Sequence, residues 1–175
     1  SFGGVTASLE KFGMPIGGCA DGPSGIRMDC GTKALSMPNG AAIASSYNQE
    51  LTEELFEYVG LELRKNKIDS LLGPGINILR NPLNGRNFEY FSEDPMLSGV
   101  LAKSYIEGVQ SKGVGTSLKH YVANNREYDR LYQSNDIDER TLREIYCKPF
   151  EIAVKGKPWT VMCSYNLVNG VRVAE

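Results

Sequence analysis

With 175 residues, 41% of them hydrophobic and 23% charged, the chain can bury a sizeable single core and is too balanced in composition to be a disordered segment. Its formal net charge of −2 leaves no electrostatic footprint for nucleic acid or an anionic membrane surface. No apolar run is long enough to span a bilayer, and the first residues do not read as a basic-then-apolar leader, which the mature form of a secreted protein would lack as well.

In chain order, Ser1 to Met14 shows no clear period and is expected to form a loop or a short helix. Pro15 to Ala20 is a short strand candidate that breaks at Asp21-Gly-Pro-Ser-Gly-Ile-Arg27, where two glycines and a proline require a tightly shaped loop. Taken alone, Asp21 reads as a turn residue. Asn48 is placed to cap a helix from Gln49 to about Asn66, with Leu51, Leu55, Tyr58, Val59 and Leu63 toward the core. Glu50, Glu53 and Glu54 near its start and Arg64, Lys65 and Lys67 near its end suit the helix dipole. Ile68 to Leu72 is a second strand, stopped by Gly73-Pro74-Gly75.

The stretch from Ile76 to Asp94 has no helical period, and a loop of that length inside a compact domain is usually functional when its aromatics, here Phe88, Tyr90 and Phe91, argue for order. Asp94-Pro95 supplies a cap and a first-turn proline for a helix ending near Gly113, with Leu97, Val100, Leu101, Tyr105 and Gly108 inward. Val114 to Tyr121 reads as a buried strand ending on Lys119 and His120, the latter the only histidine. A polar loop through Asn124, Asn125, Arg126, Glu127, Asp129 and Arg130 precedes a third helix. Asp138 caps it, Leu142, Ile145, Tyr146 and Ile152 face inward, and Pro149 is expected to kink it. Trp159 to Asn166 is a fourth strand, and Asn169-Gly170 a turn.

Cys19, Cys30, Cys147 and Cys163 contain no Cys-x-x-Cys pair, so neither a zinc site nor a dense disulfide framework is expected. Cys147 and Cys163 read as buried free thiols. With one histidine, a zinc, copper or haem centre is not expected, and no other cofactor is implied. The lack of a glycosylation sequon leans toward a reducing, cytoplasmic setting.

Strands alternating with helices call for a parallel sheet with right-handed crossovers. The glycine fingerprint of an open dinucleotide-binding sheet is missing, as is a phosphate-cradling loop. Polar side chains instead follow each strand: Asp21, then Arg86, then Lys119 and His120, then Tyr165 and Asn166. That is the habit of a (β/α)8 barrel. Four strands make only half of one, since a complete barrel takes about 250 residues. The chain is therefore expected to be part of a larger protein. Asp21, Arg27, Arg86, Lys119, His120 and Arg130 mix acid and base, which suits a neutral, hydroxyl-covered ligand better than a phosphate; that ligand is a sugar.

Four motifs carry a resemblance: Asp21-Gly-Pro-Ser-Gly-Ile-Arg27, Gly85-Arg86-Asn-Phe-Glu-Tyr-Phe-Ser-Glu-Asp94-Pro, Lys119-His120-Tyr-Val-Ala-Asn-Asn125 and Met162-Cys-Ser-Tyr165-Asn. In this order, over roughly residues 12 to 170, the chain resembles glycoside hydrolase family 3 and within it the β-glucosidases. The resemblance implies a retaining, exo-acting hydrolase acting on a β-glucoside or oligosaccharide through a TIM-type barrel. It implies that Asp21 holds the C4 and C6 side of the terminal sugar and that Arg86, Lys119 and His120 grip the other hydroxyls. Arg130 matches a further pocket arginine and Arg27 a supporting one. Met162 and Tyr165 match residues beside the nucleophile. The stretch after His120 differs from the family's N-acetylglucosaminidase pattern.

Retaining hydrolysis needs two carboxyl groups about 5–5.5 Å apart. The resemblance places both beyond this chain, in the second half of the barrel and a C-terminal domain, which become the chain's expected partners. Glu89, Glu93, Asp94 and Glu127 read as loop and capping residues. Two other readings stay open: a Schiff-base lyase built on Lys119 with Tyr165 as proton relay, and a non-catalytic sugar-binding fragment. In isolation, half a barrel is expected to be insoluble or bound to a partner segment.

Overall fold

A computed structural model describes residues 7–28, 31 and 33–175. After a 3-10 turn over Ala7–Phe12 come β1 (Cys19–Asp21), α1 (Gly40–Ala44), α2 (Gln49–Lys65), β2 (Ser70–Leu72), α3 (Pro95–Gln110) and β3 (Gly115–Tyr121). Then follow β4 (Ser134–Asn135), α4 (Glu139–Thr141), α5 (Lys148–Ala153), β5 (Thr160–Cys163), β6 (Leu167–Val168) and β7 (Val171–Arg172).

β1, β2, β3 and β5 form one parallel sheet in that spatial order. Each strand lies beside the one before it, with no reversal of order. A doubly wound sheet reverses at its switch point, whereas a barrel wall does not. The sheet is thus the first half of a (β/α)8 wall, with β1 and β5 as its two edges. A second sheet, β4-β6-β7, forms from two-residue strands joined at the Asn169-Gly170 turn, where both residues have positive φ. Neither this sheet nor α1 shows in the sequence pattern.

The two long helices start where their caps dictate. Asn48 Oδ1 accepts from Leu51 N (2.9 Å) and Asp94 Oδ1 from Leu97 N (2.8 Å), with Pro95 in the first turn of α3. The pair packs closely because Gly108 faces the backbone of α2, where a Cβ would strike the Glu53 carbonyl. Around that crossing Phe56 and Tyr105 stack with ring centroids 3.7 Å apart, and Leu63, Leu71, Ile106 and Leu118 are fully buried. Each such side chain contributes about 1.5–3 kcal/mol of burial.

Three expectations are corrected. The inward face of α2 is Thr52, Phe56, Val59, Gly60 and Leu63, whereas Leu51 and Tyr58 are exposed, because glycines rather than the bulkiest residues set where α3 crosses. The third helix is not one kinked rod. Cys147 N–H reaches back to Leu142 O (2.8 Å) in a π turn over Leu142–Tyr146, and α5 starts anew with Pro149, which lacks an N–H, in its first turn. Cys163 is exposed because β5 is an uncovered edge; Cys147 is half-buried, and Cys30 lies outside the described residues.

Candidate functional site

Two strand ends and one long loop bring the charged residues together. β1 ends on Asp21, and the loop after it is closed by Arg27 N–H to Asp21 O (2.8 Å) and Gly25 N–H to Gly22 O (3.2 Å). Gly22, at φ +137°, admits no side chain, since a Cβ would collide with the Gly25 carbonyl. β3 carries Lys119 and His120, and its end is held to the preceding loop by Lys119 N–H to Pro74 O (2.9 Å) and Ile76 N–H to Lys119 O (2.8 Å). The segment from Ile76 to Asp94, free of helix and strand, brings Arg86, Phe88, Glu89 and Tyr90 to the same end of the sheet. That is the carboxyl end of the strands, where barrels carry their ligands.

The result is a row of alternating charges. Lys119 Nζ lies 2.9 Å from Asp21 Oδ1 and 3.6 Å from Glu89 Oε2, with the Lys119 side chain 3% exposed and that of Glu89 1%. Glu89 Oε1 accepts from Arg86 Nε at 2.5 Å. Arg86 Nε is 4.0 Å from Glu127 Oε1, whose other oxygen is 2.9 Å from Arg130 Nη1. Buried charges persist only where each has a partner, and this row provides one at every step. Asp21, Arg27, Arg86, Phe88, Glu89 and Lys119, with the Gly22–Gly25 turn, line a cavity of about 300 Å³. Burial works against the charge of Arg86, but Glu89, helped by Tyr90 and Glu127, holds its pKa above the ordinary value.

His120, which does not line this cavity, is 5% exposed with Nδ1 3.1 Å from the Tyr90 hydroxyl. Asn77 Nδ2 donates to that hydroxyl (3.2 Å) and to the His120 carbonyl (3.0 Å). Burial first, then the cations Arg86, Lys119 and Arg130, push the imidazole down to about 2, so it is neutral at ordinary pH. Burial, reinforced by Glu89, pushes the Tyr90 phenol up, so it keeps its proton. Asn77 donates to the phenol oxygen, and Nδ1 of His120 (3.1 Å) and the Asn124 carbonyl (3.4 Å) both lie within reach of the phenol proton.

Of the residues singled out in the sequence, Asp21, Arg27, Arg86 and Lys119 line one cavity. His120, Arg130, Met162 and Tyr165 are not among its lining residues. Met162 pairs in register with Lys119, and the Arg130 guanidinium lies 5.0 Å over the Tyr165 ring, on the side of the edge strand β5. Asp94 is a helix cap, as expected. Glu89 lies in the long loop as read, but its carboxylate is buried between Arg86 and Lys119, and Glu127 likewise joins the charge row. The three-residue spacing of Arg86 and Glu89 is the one local signal that pointed there. Asn77 and Tyr90 also escaped the sequence reading. Among the described residues no cluster of three or more His, Cys, Asp or Glu side chains is arranged to hold a metal ion, and no helix is long and apolar enough to cross a membrane.

A family model described as the glycosyl hydrolase family 3 N terminal domain matches residues 5–175. The chain is 57% identical to a β-glucosidase of Ruminococcus albus over 175 residues, covering 99% of this chain and 18% of that protein. It is 48% identical to an exo-α-(1→6)-L-arabinopyranosidase of Bifidobacterium longum, covering 95% of this chain and 24% of that one. Among solved structures, β-glucosidase 3B from Thermotoga neapolitana in complex with glucose superposes with a TM-score of 0.90 at 47% identity, covering 94% of this chain and 24% of that one. The chain thus spans about a fifth to a quarter of the length of these relatives.

Proposed function

This chain belongs to glycosyl hydrolase family 3, as part of its N-terminal domain, and from that premise we propose that it forms the sugar-gripping wall of a retaining, exo-acting β-glucosidase. The observation that carries this reading is the alternation of Asp21, Lys119, Glu89 and Arg86 around one cavity at the carboxyl ends of parallel strands. Sugar hydroxyls both donate and accept, so a ring that meets carboxylate and cation side by side can satisfy each hydroxyl in both roles. Charge-assisted hydrogen bonds are worth about 1.5–3 kcal/mol each, and a few of them fix the ring's orientation for attack at its anomeric carbon.

In this reading Asp21, its side chain 32% exposed, takes the C4 and C6 side of the terminal glucose. Arg86 and Lys119 take the remaining hydroxyls, and His120 contributes Nε2. Arg27 and Arg130 buttress the wall, while Met162 and Tyr165 stand beside the nucleophile. Nucleophile and acid/base come from the second half of the barrel and a further domain, so the chain is one part of a larger multidomain enzyme. Similarity to a structure holding glucose supports a sugar ligand. Free thiols at Cys147 and Cys163 fit a reducing, cytoplasmic setting. A Schiff-base lyase is disfavoured, because the Lys119 amine is committed to Asp21 and Glu89 rather than open to a carbonyl.

The test is a hybrid in which residues 1–175 replace the matching segment of the Ruminococcus albus β-glucosidase. It is expected to hydrolyse 4-nitrophenyl β-D-glucoside; a folded but inactive hybrid overturns the reading. The similarity to an arabinopyranosidase favours a second reading, α-L-arabinopyranoside cleavage. That sugar lacks the hydroxymethyl group and has the opposite configuration at C4, both at the corner assigned to Asp21. The ratio of kcat/KM on the two nitrophenyl glycosides decides between them.

A further inference from the structure

We propose that Glu89 is the residue that sets both the geometry and the charge of this sugar site: it holds Arg86 and Lys119 at a fixed separation and cancels enough of their charge that the cavity takes neutral sugars and rejects anionic ones. The inference deepens the β-glycosidase reading and rests on it.

Glu89 is placed to hold its neighbours rather than to contact solvent. Its two oxygens are divided between two cations, Oε1 to Arg86 Nε at 2.5 Å and Oε2 toward Lys119 Nζ at 3.6 Å, and its side chain is 1% exposed. Glu89 N–H closes a turn onto Arg86 O (3.1 Å), which sets the two side chains next to each other. The following residue, Tyr90, is fully buried and hydrogen-bonded to Asn77, which anchors the backbone that carries Glu89. Gly75 lets the Tyr90 ring pack close, since a Cβ there would stand 3.0 Å from it.

The charge argument follows from the lining. Among the lining residues, Arg86 and Lys119 are matched by Asp21 and Glu89, while Arg27 is engaged by a partner of its own. Removing the Glu89 charge leaves one lining cation unmatched and frees the forked donors of Arg86, the group best shaped to take a carboxylate in a bidentate grip. With Glu89 present, those donors are engaged, and an incoming carboxylate meets two carboxylates already in the wall. Rejection of the wrong ligand by a like charge is a common source of specificity.

The experiment measures dissociation constants of D-glucose and D-glucuronate by calorimetry on the hybrid enzyme, alongside its activity on the nitrophenyl glucoside. In Glu89→Gln, nearly the same shape without the charge, glucose binding is expected to weaken at least tenfold while the preference for glucose over glucuronate shrinks at least tenfold. Glu89→Asp keeps the charge but not the reach: glucose is expected to weaken at least threefold with the preference within threefold of the parent. Equal weakening of both sugars in Glu89→Gln overturns the charge role and leaves a structural prop. Unchanged glucose affinity in either variant overturns the positioning role, and if Glu89→Gln fails to fold, Glu89→Asp decides alone. A parent hybrid that binds glucose without hydrolysing the glucoside counts against the hydrolase reading and not against this one; a parent that binds neither sugar overturns both.

Discussion

Replacing Asp21 by Asn is the most informative single change to the cavity. The substitution keeps shape and one acceptor but removes the negative charge 2.9 Å from Lys119 Nζ. Lys119 retains Glu89 at 3.6 Å, and the Asp21 side chain is one-third exposed, so the fold loses only a partly screened pair. A ligand hydroxyl loses a charge-assisted bond worth about 1.5–3 kcal/mol. At about 1.4 kcal/mol per tenfold in rate, kcat/KM on 4-nitrophenyl β-D-glucoside is expected to fall roughly 10- to 150-fold in the hybrid enzyme. The melting temperature should move by no more than a few degrees. A kcat/KM within twofold of the parent, with an intact melt, would refute the placement of the sugar against Asp21.

His120, as the only histidine, gives a single imidazole signal in the chain; its nitrogen shifts are expected not to titrate between pH 4 and 9, and a midpoint near 6.5 would contradict its burial. Because its folded pKa is depressed to about 2, the unfolded chain binds the extra proton first, so stability falls as pH drops from about 6.5 toward 2; denaturant melts of the hybrid and its His120→Asn variant should converge at acid pH. Gly108→Ala should lower the melting temperature, because forcing α2 and α3 apart costs about 1–3 kcal/mol, more than the roughly 0.8–1.0 kcal/mol that alanine gains in helix propensity; a raised melting temperature refutes the crossing described above. The 175-residue chain alone, with Trp159, Val161 and Tyr165 exposed along the β5 side, should self-associate in sedimentation, and a monomer with a cooperative melt would count against that.

The parts legible in the sequence are those whose cause is local. Asn48 and Asp94-Pro95 announce α2 and α3 because a cap acts within three residues. The glycine and proline breaks after Asp21 and Leu72 mark where β1 and β2 stop. That Asp21, Arg86 and Lys119 share a cavity was inferable from the barrel pattern, which brings strand ends to one mouth. Glu89 was not legible, since its burial depends on a lysine thirty residues later and a loop that folds back over it. The same holds for the Tyr90–His120–Asn77 cluster, whose hydrogen bonds join both ends of the long loop to β3. Leu51 and Tyr58 misled because an apolar stripe says which residues prefer burial, not where a neighbouring helix can approach. Two-residue strands such as β4, β6 and β7 are too short to carry an alternating pattern at all.

Trp159, the chain's single tryptophan, lies across Gly115 at the root of β3, so closely that any side chain there would run into the indole. Lys119 stands four residues further along the same strand, about 13 Å away at 3.3 Å per residue. The intrinsic fluorophore of this chain is therefore a natural gauge of how its strands join at the far rim, and emission that shifts with assembly but stays constant on addition of glucose is the behaviour its position dictates.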